Sequence, residues 1–207
     1  MAKHLEFKDA RDWSNFCKYL KQKNRFVLVE YWYEFFKIIE STAKKREHTI
    51  KKNYVLCRAR TGYNELINED PEDGTFDVRM WAYKKEQIGA APPDKSQNGR
   101  INPKGISYLY LSNDHTTAIK EVRPLLKETV SVGYFQINKD LKCIDTSDDK
   151  PISYIPYDFS SDPPKHVEPT AELKENKIWG EINASFSKPI YRKEEDVEYL
   201  PTQYLSE

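Results

Sequence analysis

The chain has 207 residues, and its 33 basic and 33 acidic side chains give a formal net charge of zero. A balanced charge argues against direct nucleic-acid binding, which needs a basic excess or a concentrated basic face. The three cysteines are widely separated and indicate no disulfide framework, and the four scattered histidines indicate no metal site. The sequence also lacks an apolar run long enough for a membrane span. We therefore expect a cytoplasmic protein.

The first 52 residues predict two helices. Asp9 is a candidate helix cap, and apolar side chains recur at helical spacing from Trp13 to Leu20. A second helix is predicted over residues 26–43, where apolar side chains cover more than one face, so it should be heavily buried. We interpret residues 1–52 as a helical N-terminal extension and residues 53–207 as the main domain.

A strand over residues 54–60 opens the main domain. Its alternation puts Arg58 and Arg60 on one face and Cys57 and Ala59 on the other. Two guanidinium groups on one face suit a phosphate group, but a solvated edge strand with charges against aggregation fits the same pattern. The acidic segment 64–77 is predicted to be a surface loop.

A polar loop bounded by Gly99 and Gly105 follows. The two glycines permit unusual backbone angles, Pro103 stiffens the turn, and Arg100 and Lys104 carry positive charge. This composition predicts an anion-binding loop.

The loop leads into a predicted strand over residues 106–111 and then into a helix. This helix should begin near His115 and end near Arg123, because Pro124 prevents a long continuation. Glu121 falls at the edge of its apolar stripe. A carboxylate at that position borders either a cleft or the solvent.

The last third of the chain predicts two strands and two helices. Strands over residues 129–137 and 141–145 are expected to pair with each other, and the proline-rich stretch 146–169 is interpreted as a lid or a disordered segment. A helix over residues 170–186 precedes a final turn at Leu200, after which the sequence ends. We expect a truncated chain, a split protein or a docked turn. The order of elements indicates an α+β fold.

Five groups of residues are informative together: Arg58-Ala59-Arg60, Ile88-Gly89 with Pro92-Pro93, Gly99–Gly105, Leu109–Leu111 with Thr117–Val122, and Tyr199–Gln203. In this combination they resemble the RES-domain family, which is named after an arginine, a glutamate and a serine. The resemblance covers about residues 54–207 and implies an ADP-ribosyltransferase-like fold with a mixed or antiparallel sheet. Many members are toxins that degrade NAD+ by phosphorolysis or hydrolysis and are neutralised by an Xre-type antitoxin.

The resemblance assigns roles to individual positions. It implies Arg58, Tyr110 and Glu121 as catalytic residues and Arg60, Arg100 and Asn102 as substrate-binding residues. The arginine of the family falls on Arg58 or Arg60, with Arg58 preferred.

The serine of the family lies on a strand that follows the helix begun by Thr202. The resemblance therefore places this serine beyond residue 207, so that the RES-like domain would lack its C-terminal strand. Ser185 and Ser187 come too early and are interpreted as polar groups at a helix end.

The implied function is cleavage of the nicotinamide–ribose bond, with NAD+ as substrate, phosphate or water as acceptor, and no cofactor. Two alternatives stay open: a protein ADP-ribosyltransferase, and a catalytically incomplete RES-like module that binds a nucleotide or a protein. The implied partners are NAD+ and an Xre-type antitoxin. A homo-oligomer is a further expectation that the sequence leaves open.

Overall fold

A computed structural model describes residues 5–23, 25–69, 74–147, 152–191 and 193–207. The described helices are α1 (Asp12–Gln22), α2 (Glu30–Ala43), α3 (Lys85–Ile88), α4 (His115–Val122), α5 (Ala171–Ser187), α6 (Glu195–Glu198) and α7 (Leu200–Ser206). The described strands are β1 (Glu47–Ile50), β2 (Val55–Thr61), β3 (Asn64–Glu69), β4 (Phe76–Trp81), β5 (Val130–Gln136), β6 (Leu141–Ile144), β7 (Tyr157–Asp158) and β8 (Lys165–His166). The protein is therefore α+β, as predicted.

The chain divides into two compact units. The helical unit consists of Met1–His48, Gln97–Lys104 and Lys142–Glu207, and the strand unit consists of Thr49–Ser96 and Gly105–Leu141. The domain boundary expected after residue 52 stays a prediction, because compactness in space does not define an evolutionary domain.

Aromatic side chains build the core of the helical unit. The fully buried Phe16 of α1 lies 5.3 Å from Trp32, 4.8 Å from Phe36 and 5.4 Å from Tyr204, measured between ring centroids. Burying one such side chain stabilises a fold by about 1.5–3 kcal/mol. The expectation that the second N-terminal helix is heavily buried is confirmed by the buried residues of α2, and α5 and α7 contribute to the same core.

The strand unit is organised around the antiparallel pair of β2 and β5. Arg58 lies opposite Gly133 in the register of this pair. Alternation along β2 buries Cys57 and Ala59 against Ala118 of α4, so the predicted faces of this strand are confirmed. The helix predicted from His115 to Arg123 is also confirmed, since α4 ends at Val122 and Arg123 adopts a left-handed conformation after it.

The predicted surface loop over residues 64–77 is wrong. β3 and β4 form an antiparallel hairpin there, with Ile67 opposite Val78, and residues 70–73 lie outside the described residues. The acidic residues favoured the prediction of a loop, although apolar and polar side chains alternate along β4.

Two predictions about strands near the central helix are also wrong. Residues 106–111 form no strand, and the bridge between Ser112 and Cys57 is isolated. The strands predicted over 129–137 and 141–145 exist but do not pair with each other, because β5 pairs with β2 whereas β6 pairs with β1. Neighbours in sequence gave no information about these long-range partners.

The proline-rich stretch is partly described. The short strands β7 and β8 pair with each other, and residues 148–151 lie outside the described residues. The role of a lid stays a prediction. The predicted C-terminal helix over residues 170–186 is confirmed by α5, and Thr170 caps it by accepting a hydrogen bond from the backbone of Leu173 at 3.2 Å.

Candidate active site

A cleft of about 640 Å³ lies in the strand unit beside β2 and α4. Its polar lining includes Arg58, Tyr110, Asn113, Thr117 and Glu121. Small-molecule sites in proteins commonly occupy about 300–1,000 Å³, so the cleft is large enough for a ligand of nucleotide size. Three of the residues predicted from the family resemblance thus come together from separate parts of the sequence.

Backbone hydrogen bonds fix the segment that carries Tyr110. The amide of Cys57 donates to the carbonyl of Ser112 at 2.8 Å, and the amide of Ser112 donates to the carbonyl of Cys57 at 2.8 Å. This reciprocal pair holds the segment against the edge of β2 that does not face β5. One wall of the cleft is therefore tied to the strand that carries Arg58.

The second wall is α4. Asp114 caps this helix by accepting hydrogen bonds from the amides of Thr116 at 2.8 Å and Thr117 at 3.0 Å. Thr117 and Glu121 are four residues apart, so they lie one above the other on the same helix face. The cap therefore sets where the helix begins and which side chains reach the cleft.

Arg58 is half-buried and has a fixed direction. Its Nη1 donates a hydrogen bond to the backbone carbonyl of Gly89 at 3.0 Å. Burial lowers the pKa of Arg58 below its ordinary value, and the neighbouring charge of Arg60 acts in the same direction. An arginine nevertheless stays protonated in proteins, so the cleft contains a permanent positive charge.

Arg60 lies on the same face of β2 but in a different environment. Its side chain is exposed, its guanidinium carbon lies 4.9 Å from the centre of the Tyr83 ring, and its Nη1 donates to the carbonyl of Gln87. The lining of the cleft includes Arg58 but not Arg60. The structure thus places Arg58 and Arg60 in different environments, a difference that the sequence alone did not show.

Glu121 is exposed at the cleft. In the described part of the chain it has neither a hydrogen bond nor an ion pair, so Arg58 does not neutralise it. A cationic side chain and a carboxylate line the same cleft without pairing. Such groups remain able to interact with opposite charges on one ligand.

Arg100 and Asn102 belong to the helical unit. The guanidinium of Arg100 donates to the carbonyls of Ser185 at 3.3 Å and Lys188 at 2.6 Å, and it lies 5.4 Å from the Tyr199 ring. Asn102 is buried, and its Nδ2 donates to the carbonyl of Gln97 at 2.9 Å. Both side chains are engaged with the protein itself, and their predicted role in substrate binding stays a prediction.

The final helix holds the loop that carries Arg100. The Nε2 of Gln203 lies within hydrogen-bond distance of Asn98 Oδ1 at 2.7 Å and of the carbonyls of Gly99 at 2.7 Å and Asn102 at 3.0 Å. Sequence reasoning did not single out this function of Gln203. Thr202 and Ser206 of the same helix also donate to this loop, to the carbonyls of Arg100 at 2.5 Å and Ile101 at 2.6 Å.

Sequence reasoning also passed over some polar residues of the cleft. Neither Asn113 nor Thr117 has a predicted role in the site, although Thr117 precedes Glu121 by one helical turn. That spacing on an amphipathic helix was the available signal. Ser185, interpreted as a helix-end polar group, accepts a hydrogen bond from Trp13 Nε1 at 2.9 Å.

Two absences hold within the described ranges. There, no three side chains of His, Cys, Asp or Glu form a group that could hold a metal ion. In the same ranges, no helix combines the length and the apolar character that crossing a membrane requires.

A family model described as RES domain matches residues 79–207, which is more than half of the chain. The matched range contains Arg100, Asn102, Tyr110 and Glu121 and begins after β2, so that Arg58 lies outside it. Comparisons with curated proteins and with solved structures gave no match.

Proposed function

We propose that this chain, which belongs to the RES-domain family, cleaves the bond between nicotinamide and ribose in NAD+. The family is associated with NAD+-processing enzymes. The observation that carries the proposal is the cleft of about 640 Å³ whose lining combines Arg58, Tyr110 and Glu121. An ADP-ribosyltransferase-like arrangement of the strands, an Xre-type antitoxin as partner and action in the cytoplasm belong to the same proposal.

The chemistry of this bond requires a negative group near the ribose. When the glycosidic C–N bond breaks, its electron pair leaves with nicotinamide, which becomes neutral, and positive charge develops on the ribose. A carboxylate placed there stabilises the transition state more than the ground state. Glu121 is exposed in the lining and has no ion pair in the described residues, so its charge is available for this purpose.

The acceptor completes the reaction. An oxygen of inorganic phosphate or water forms the new bond to the ribose carbon. With water as acceptor, one of its O–H bonds breaks, and the released proton passes to the solvent or, transiently, to the carboxylate of Glu121. The products are nicotinamide and either ADP-ribose 1-phosphate or ADP-ribose. NAD+ is a substrate here, and the reaction requires no cofactor.

The other two groups suit other parts of the same dinucleotide. The guanidinium of Arg58 matches the oxygens of a pyrophosphate or an incoming phosphate, because it can donate two parallel hydrogen bonds. The Tyr110 ring can stack on a base or donate its hydroxyl to a ribose oxygen. That Arg58 and Glu121 are not paired in the structure agrees with a ligand whose negative and developing positive charges are several bonds apart.

The test is Glu121→Gln, which removes the charge and keeps the shape. We expect NAD+ consumption to fall by about 10²–10³-fold, as after loss of one group that stabilises a transition state, with an unchanged thermal midpoint. The matched control is Glu65→Gln, an exposed glutamate of β3 outside the cleft lining, which should keep the wild-type rate. A Glu121→Gln variant with the wild-type rate of NAD+ loss would exclude this role.

Mass spectrometry of the products separates the alternatives. Phosphorylated ADP-ribose indicates phosphorolysis, free ADP-ribose indicates hydrolysis, and a modified protein indicates ADP-ribose transfer. A wild-type chain that binds ADP-ribose but consumes no NAD+ would support a binding module instead of an enzyme.

A further inference from the structure

The short helix α3 lies on the face of the β2–β5 pair that carries the two arginines. Arg58 donates to the carbonyl of Gly89, and Arg60 donates to the carbonyl of Gln87, so consecutive arginines on one face bind neighbouring carbonyls of one segment. A guanidinium is planar and has five N–H donors in fixed positions. One hydrogen bond to a fixed carbonyl therefore restricts where the other four donors point.

The position of α3 is itself fixed by side-chain contacts. The Oε1 of Gln87 accepts hydrogen bonds from the amide of Lys84 at 3.0 Å and from Asn64 Nδ2 at 2.9 Å. The Nε2 of Gln87 donates to Asn64 Oδ1 at 2.8 Å. A four-residue helix is too short to be stable alone, so these bonds and the burial of Ile88 determine where its carbonyls lie.

Gly133 determines how closely α3 can approach the sheet. A Cβ atom at this position would lie 2.8 Å from Cγ1 and 2.9 Å from Cγ2 of Ile88. Ile88 is buried, and its β-branched side chain has few alternative rotamers, so it cannot move away at low cost. Gly133 also lies directly opposite Arg58 in the strand register. The position on β5 that lacks a side chain is thus directly opposite the arginine that lines the cleft.

We infer that Gly133 is a positioning residue, which admits Ile88 and so places α3 where its carbonyls direct Arg58 towards an anionic ligand in the cleft. The chemical class of that ligand is a phosphate or pyrophosphate group, which rests on the proposed function. In the described residues Arg58 has no second hydrogen bond, so most of its donors remain available for such a group. Arg60, held in the same way on the same face, adds a second positive charge nearby.

The experiment compares Gly133→Ala, Ile88→Ala and the double variant. ADP-ribose binding measured by calorimetry should weaken by about 10–10²-fold in Gly133→Ala, because a displacement of about 1 Å is enough to misalign a binding group. Ile88→Ala removes the two atoms that the new Cβ would meet at less than 3 Å and keeps the Cβ at 3.4 Å, an ordinary contact, so the double variant should bind ADP-ribose as tightly as Ile88→Ala alone. The inference would be overturned if Gly133→Ala bound ADP-ribose as tightly as the wild type. It would also be overturned if a folded double variant bound ADP-ribose more weakly than Ile88→Ala.

A second readout reports on Arg58 directly. The guanidinium N–H signals of Arg58 in nitrogen-15 spectra should show the hindered rotation of a hydrogen-bonded group in the wild type, lose it in Gly133→Ala and be the same in the double variant as in Ile88→Ala. A change in stability alone would not produce this pattern. An unchanged Arg58 signal in a folded Gly133→Ala variant would contradict the inference.

A third variant keeps the test decisive if Gly133→Ala does not fold. Gln87→Ala removes the bond between α3 and Asn64 without adding an atom, and it should also weaken ADP-ribose binding; unchanged binding would overturn the inference. Failure of the proposed function is distinguishable, because a wild type that consumes no NAD+ can still show the predicted order of ADP-ribose affinities.

Discussion

The guanidiniums of Arg58 and Arg100 differ in what they bind. Among the described residues, the guanidinium of Arg58 has one hydrogen bond, to the carbonyl of Gly89, and it lines an open cleft in the strand unit. Arg100 donates to two carbonyls at the end of α5 and lies over the Tyr199 ring in the helical unit. The same residue type, in segments that both looked suited to anions, thus retains free donors in one place and uses them to join protein segments in the other.

The polar neighbours of these arginines differ in the same way. Glu121 is exposed and has no ion pair among the described residues, whereas Asn102 is buried and donates to the carbonyl of Gln97. A satisfied buried polar group contributes to stability, and removing its partner costs about 1–3 kcal/mol. A group without a partner is available to a ligand. Substitutions should therefore separate the two regions into effects on activity and effects on stability.

Between these two arginines, the larger effect is expected for Arg58→Lys. Lysine keeps the positive charge but cannot donate two parallel hydrogen bonds, so kcat/KM for NAD+ should fall by about 10²-fold, with little change in thermal midpoint. The matched control is Arg60→Lys on the same face of β2, which should stay within about threefold of the wild type because Arg60 does not line the cleft. A larger loss in Arg60→Lys than in Arg58→Lys would transfer the predicted role to Arg60.

A smaller and different effect is expected for Arg100→Lys. The compact ammonium group cannot reach the carbonyls of Ser185 and Lys188 in the same fork geometry, so the free energy of unfolding in urea should fall by about 1–2 kcal/mol. The KM for NAD+ of the folded fraction should not change. A raised KM with unchanged stability would instead support the substrate-binding role that the family resemblance implies for Arg100.

The smallest effect concerns the pH dependence of the helical unit. Asp12 is buried; Tyr31 Oη donates to its Oδ1 at 2.6 Å, and the amide of Asp9 donates to its Oδ2 at 3.0 Å. Burial raises the pKa of Asp12 above 3.8 in spite of these hydrogen bonds. The folded state therefore binds more protons than the unfolded state between the two pKa values, and stability falls as the pH rises through that window.

Asp12→Asn should remove this contribution. The free energy of unfolding of the wild type minus that of the variant is expected to decrease as the pH rises from the unfolded pKa of Asp12 through its raised folded pKa. Denaturant titrations at several pH values would measure it. A difference that increases with pH would mean that the folded pKa lies below the unfolded one.

Local elements of this protein were predictable because their causes are local. Asp114 caps α4 through bonds to residues two and three positions ahead, Thr170 does the same for α5, and alternation along β2 follows from strand geometry. The hairpin of β3 and β4 escaped prediction although it is local, since its acidic residues resembled a loop. Periodicity alone placed Glu121 at the edge of the apolar stripe of its helix.

Tertiary structure decided what each polar group binds. Arg100 meets the carbonyl of Ser185, which is 85 residues away, and Gln203 reaches Gly99 across 104 residues. The pairing of β5 with β2 instead of β6 and the fit of Ile88 over Gly133 are of the same kind. Such contacts depend on which segments pack together, and short-range patterns contain no record of that choice.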